Sequence, residues 1–138
     1  MKTTQKIATL LVTAAIAVVF LLGNAAQAQQ KKAAAWPVPD KDKAMKAATK
    51  ADVNAGKDLW AKHCKSCHGS KGLGDGPKAA SLKTNPGDFS AAAFQGSTDG
   101  ELFYRTNKGR DEMPAYEKKI PEANDRWALV AFMRTLKK

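Results

Sequence analysis

Towards its C-terminal end the chain sets Leu129, Phe132, Met133 and Leu136 at i, i+3, i+4 and i+7, the spacing that lines one side of an α-helix with apolar side chains. Pro121 suits a first helical turn. Glu122 and Asp125 follow where the helix dipole favours anions, and Lys137 and Lys138 lie where it favours cations. A helix is therefore predicted from near Pro121 onwards. A second begins after Asp52, a good N-cap, with Val53, Leu59 and Trp60 on its apolar side. A third, shorter one is predicted at Thr98, where Thr98-Asp99-Gly100-Glu101 has the capping-box form. Leu102, Phe103 and Tyr104 give it apolar weight, and Asn107 and Gly109 stop it. Between the second and third lies GSKGLGDGPKAASLKTNPGDFS, whose glycines and prolines permit little regular structure. Nothing reads as a run of strands. The expected class is all-α, about three to four helices joined by long loops.

The N-terminal pattern is of another kind. Lys2 and Lys6 precede an unbroken apolar run, Ile7 to Leu22, and Ala26-Gln27-Ala28 supplies a small-x-small cleavage pattern. Residues 1–28 are read as a secretory signal peptide, with an uncleaved membrane anchor as the alternative. Cleavage near Ala28 would deliver a small domain to the periplasm or another exported compartment. Residues 29–52, rich in Ala and Lys around Trp36-Pro37-Val38-Pro39, read as an arm or tether, and Trp36 is placed to pack back on the domain. The domain itself is expected over 53–138. The net charge of +10 suits an acidic protein partner or a plainly soluble surface. Nucleic acid is excluded by export and by the lack of Lys/Arg runs interleaved with aromatics.

The chemistry is concentrated in HCKSCHG, His63 to Gly69, which holds both cysteines of the chain. A thiol–disulfide oxidoreductase would set such a pair at a strand-to-helix junction, and no strand is predicted here. A structural zinc site would need four ligands, and Cys64, Cys67, His63 and His68 crowd into six residues instead of forming two separated pairs. C-x-x-C-H is also the attachment signature of c-type haem. On a helical turn Cys64 and Cys67 face one side, so that two thioethers can tether one porphyrin, and His68 follows to meet the iron.

With these residues the sequence resembles the class I cytochromes c, in particular the small bacterial monohaem kind, over about residues 53–138. The resemblance rests on CSCH with its Gly-rich CHGSKGLGDGP continuation, on Gly56 and Trp60 before the motif, on Leu129 and Phe132 in the last helix, and on GRDEMPAY. It implies a cytochrome c fold wrapped around one covalent haem c. Gly56 and Trp60 would cross closely against Leu129 and Phe132, and the Pro77 carbonyl would orient His68. Met113, followed by Pro114, would be the second axial ligand to iron. Met45 lies in the arm and Met133 reads as core. Trp60, Phe89, Phe94, Leu102, Tyr116 and Trp127 are further pocket candidates, and Arg105, Lys108 or Arg110 are candidates to pair with a propionate.

A His68/Met113 iron has no open position, which implies a one-electron carrier with no catalytic residues. The expected partners are redox proteins with acidic docking surfaces: a quinol-oxidising complex or dehydrogenase as donor, a terminal oxidase or reductase as acceptor. A haem-based ligand sensor or peroxidase-like protein is the alternative, as is a cytochrome subunit fixed in a membrane complex. Membrane contact is expected only if the N-terminal segment is retained.

Overall fold

The computed structural model describes residues 35–138; the signal segment and the first residues of the arm lie outside the described residues. Among the described residues six α-helices follow in order: α1 Asp40–Lys43, α2 Val53–His63, α3 Lys65–His68, α4 Ala92–Gln95, α5 Asp99–Lys108 and α6 Ala123–Thr135, with a 3₁₀ turn at Ala79–Ser81. No strand occurs among the described residues, and only an isolated antiparallel bridge joins Arg110 to Met113. None of the described helices is long and apolar enough to cross a membrane.

The helix starts follow from their caps. The Asp52 carboxylate accepts from the backbone N–H groups of Asn54 at 2.8 Å and Ala55 at 3.2 Å, satisfying two donors that have no partner within α2. At α5 the capping box closes in both directions: Glu101 N–H donates to Thr98 Oγ1 at 3.1 Å, and Thr98 N–H donates to Glu101 Oε2 at 2.7 Å. The α6 helix starts at Ala123, two residues after Pro121. The Arg126 guanidinium donates to the carbonyls of Ile120 and Pro121 and organises that approach as a turn outside the helix.

The frame of the domain is the crossing of α2 on α6. A Cβ at Gly56 would lie 2.0 Å from the Ala128 carbonyl oxygen and 3.0 Å from Phe132 Cβ, so only glycine lets the two backbones come this close. Trp60, 2 % exposed, meets Phe132 at 5.6 Å between ring centroids, and Leu129 is fully buried beside them. Met133 belongs to this core, as its spacing predicts. A second cluster forms on the other side of α6, where Trp127 stacks on Phe103 at 4.0 Å with Leu102 and Val130 around them.

Residues 35–51 pack on the domain. Val38 is buried, Ala47 and Ala51 lie against the Trp127 cluster, and Thr98 Oγ1 donates to the Lys43 carbonyl at 2.8 Å. Trp36 lies beneath the Arg110 guanidinium, 4.6 Å from its ring centroid, and Arg110 also donates to the Ala35 carbonyl at 3.2 Å.

Candidate functional site

Helix α2 delivers the motif. The motif runs from the end of α2 into α3, which meet at Cys64, with Cys67 N–H and His68 N–H both donating to the Cys64 carbonyl, at 3.1 and 3.0 Å. Trp60 Nε1 donates to the Gly69 carbonyl at 3.0 Å and fixes where the motif turns away. The Gly-rich loop then folds back: Gly74 N–H donates to the His68 carbonyl, Gly76 N–H to Cys67 and Lys78 N–H to Ser66, so the exposed end of α3 is capped by main chain.

Cys64, Cys67, His68 and Met113 line one cavity of about 700 Å³. That volume falls within the ~300–1,000 Å³ usual for cofactor pockets. Of the aromatic and aliphatic candidates, Trp60, Phe89, Phe94, Leu102 and Tyr116 line it, whereas Trp127 lies in the second cluster. Arg105 and Arg110 reach its wall, and Lys108 instead pairs with Glu117 at 2.9 Å. A smaller cavity of about 340 Å³, between α5 and the start of α6, holds none of the motif residues.

Met113 is presented by a tight turn. Arg110 N–H donates to the Met113 carbonyl and Met113 N–H to that of Arg110, both at 2.9 Å, leaving Asp111 and Glu112 at the tip. Asp111 adopts φ 53° there. Gly109 enters the turn at φ 61°, and a Cβ on it would stand 2.4 Å from the Met113 carbonyl oxygen. Downstream, Tyr116 OH donates to the His63 carbonyl at 2.7 Å, tying the loop to the end of α2.

His68 sits against Phe89, 4.7 Å between ring centroids, and Trp60, 5.7 Å. Burial pushes its imidazole below the ordinary histidine value, and the Pro86 backbone partly offsets this. Nδ1 is buried and makes no hydrogen bond. Pro86 lines the cavity with His68, whereas Pro77, expected to orient this ring, does not line it. Pro77 is exposed after Gly76, and the chain passes outward through the 3₁₀ turn before residues 82–89 return along the cavity. The signal for Pro86 was its place three residues before Phe89, an apolar residue inside a turn-rich stretch; Phe89 N–H donates to the Gly72 carbonyl at 2.7 Å and brings that return strand-like segment home.

The chemistry of these side chains separates the readings of the motif. Burial, with Cys67 adding to it, pushes the Cys64 thiol up to about 12, so as a free thiol it stays protonated and is a poor redox nucleophile. Among the described residues no three His, Cys, Asp or Glu side chains converge as metal ligands would. Two thiols, an imidazole and a thioether around an apolar cavity instead fit a haem. One orphan agrees: Arg105 Nε is buried without a partner at the wall where an anionic edge would lie.

Residues 51–133 match the family model described as cytochrome c oxidase, cbb3-type, subunit III. No curated protein matches the chain significantly. Among solved structures, it is similar to a chain of the Kuenenia stuttgartiensis reducing HAO-like protein complex Kustc0457/Kustc0458, with TM-score 0.61 and 26 % identity over 76 % of this chain. It spans about half of that relative, 53 %. It is also similar to the KustC0563 c-type cytochrome, with TM-score 0.51 and 31 % identity, over 60 % of this chain and 98 % of that one. Fold, cavity and family agree: the chain belongs to the family of that model and is a class I c-type cytochrome, an electron-transfer protein of the kind that carries covalently bound haem c.

Proposed function

We propose that this chain is a monohaem one-electron carrier of an exported respiratory or related electron-transfer chain. One observation carries the reading: CSCH and the distant Met113 line the same apolar cavity, with two arginines at its wall. Cys64 and Cys67 would hold the haem through thioethers, and His68 and Met113 would be the iron ligands. When bound, the haem supplies a ferric/ferrous couple, and sulfur ligation favours the reduced state. The chain does the rest. With the iron on Nε2, the buried His68 Nδ1 would be left to donate to a main-chain acceptor, which would fix the ring and strengthen the imidazole as a donor. Phe89, Phe94 and Tyr116 exclude water, and Arg105 and Arg110 would hold the propionates.

Lys62, Lys65, Lys118 and Lys119 are exposed, and among the described residues none makes an ion pair. His63, at the cavity rim, is held below the ordinary histidine value by burial first and then by the charges of Lys62 and Lys119. This positive rim suits acidic redox partners, a quinol-oxidising complex or dehydrogenase upstream and a terminal oxidase or reductase downstream. Electron-transfer rates should then fall as ionic strength rises. The likeness to a chain of a redox complex favours a second reading, a cytochrome held as a subunit; co-purification in a stable complex would select it over a free carrier.

The test is the intact mass of the full chain expressed with haem-maturation machinery in a periplasm-exporting host. The reading expects one haem per chain and an N-terminus at Gln29, with haem attachment impaired in Cys64→Ala and Cys67→Ala. A product without covalent haem would overturn it.

A further inference from the structure

Two loops wall the cavity from different parts of the chain. Residues 82–88 carry Pro86 beside His68, and residues 109–114 carry Met113. No main-chain hydrogen bond joins these loops among the described residues. One side chain does. Glu112 Oε2 accepts from Lys83 N–H at 2.7 Å, Thr84 N–H at 3.2 Å and Thr84 Oγ1–H at 3.4 Å.

This carboxylate is exposed, and its place follows from the turn that carries it. It projects from the two-residue tip closed by the paired Arg110–Met113 hydrogen bonds, next to Asp111 at φ 53° and immediately before Met113. Because the turn is this short, where Glu112 is held decides where the Met113 backbone is held. Backbone N–H groups donating to an ionised carboxylate make hydrogen bonds stronger than neutral ones. Lys83 and Thr84 have no helix or sheet partner that would otherwise use these donors.

We propose that Glu112 is a positioning residue, a latch that holds the Met113 loop onto the loop carrying Pro86 and so keeps the Met113 thioether at the iron. The inference rests on the His68/Met113 reading above. It predicts that losing the latch increases the fraction of molecules in which Met113 has left the iron, while the four residues assigned to hold the haem, Cys64, Cys67, His68 and Met113, all remain in place; Glu112 itself lines the cavity edge beside Met113. An added ligand competes for the sixth position, and its apparent affinity rises with that fraction.

The experiment is a titration of the oxidised full-length holoprotein with imidazole, followed by the Soret shift and by loss of the weak ferric methionine–iron band. Glu112→Ala should bind imidazole roughly tenfold more tightly than the native protein, the scale expected when charge-assisted hydrogen bonds are lost. Glu112→Gln, which retains a carbonyl acceptor, should lie between the two. Glu117→Gln is the control, because it changes an exposed carboxylate of an ion pair outside the cavity and should bind imidazole as the native protein does. Circular dichroism and haem stoichiometry establish that each variant is folded and loaded. If Glu112→Ala binds imidazole with native affinity while the native band is present and lost in Met113→Ala, the latch is wrong and the ligand assignment stands. If the native protein lacks the band and Met113→Ala leaves the spectrum unchanged, the ligand assignment itself fails. A rise of the same size in Glu117→Gln would also overturn the latch, because the effect would then be a general loss of surface charge.

Discussion

The α2–α6 crossing and the two loops around the cavity hold their residues in place by different means. At the crossing, position comes from packing: Gly56 against the Ala128 backbone, Trp60 against Phe132, and Leu129 with no exposed surface. Many small contacts share the load there, and each is expressed in a local sequence period. At the loops, position comes from a few directed hydrogen bonds between distant residues: Glu112 to Lys83 and Thr84, Phe89 to Gly72, Tyr116 to His63. The motif stands on the rigid part and Met113 on the other. The arrangement keeps one set of cavity residues fixed and makes the other adjustable by single substitutions.

That difference can be broken from the scaffold side first. Gly56→Val puts a branched side chain where even a Cβ would lie 2.0 Å from a carbonyl oxygen, so the helices must separate. Denaturant unfolding should show a loss of about 3 kcal/mol or more, with a change at the haem only as the fold opens. Thr98→Ala removes one half of the capping box at α5 and should lower stability by about 1 kcal/mol, leaving the visible spectrum unchanged. Tyr116→Phe probes the loop side. It removes one hydrogen bond to the His63 carbonyl, and calorimetry should register about 1 kcal/mol. Unlike the cap variant, it should also increase imidazole binding, because Tyr116 anchors the segment after Met113.

The smallest effect concerns charge at the rim. Burial first, then the charges of Lys62 and Lys119, hold the His63 imidazole below its ordinary value. A histidine whose folded pKa is depressed binds its proton better when the chain is unfolded. Its contribution to stability is therefore intact above the ordinary histidine value and declines as pH falls below it. Lys119→Ala should raise the His63 pKa, read by NMR titration, and flatten that decline slightly; an unchanged titration would place Lys119 too far away to act on the rim.

The legibility of the chain follows the same division. The helices at Asp52 and Thr98, and the core role of Met133, were readable because a cap and a period each lie within one element. The close crossing at Gly56 was expected through the family resemblance, which set it against the last helix; the structure places it against Ala128 and Phe132. Pro86 was not, since which proline meets His68 depends on the path of residues 77–89, and that path is set by partners elsewhere in the chain, Gly72 and Glu112. Trp127 was drawn to the cavity by its aromatic character alone; which side of α6 it occupies is decided by Phe103. Of residues 35–51, only the packing of Trp36 was anticipated; the rest was hidden. Their Ala- and Lys-rich composition carries almost no pattern, and their seat depends on Gly100, where a Cβ would stand 2.1 Å from the Asp42 carbonyl oxygen.

The central claim is that CSCH and Met113 act on one haem from two different parts of the fold, and the visible spectrum of the oxidised and reduced holoprotein tests it most directly. The account predicts a low-spin covalent haem with the weak ferric methionine–iron charge-transfer band, absent in Met113→Ala and retained in Met45→Ala and Met133→Leu. A high-spin ferric haem in the native protein, or a band that survives Met113→Ala, would contradict it.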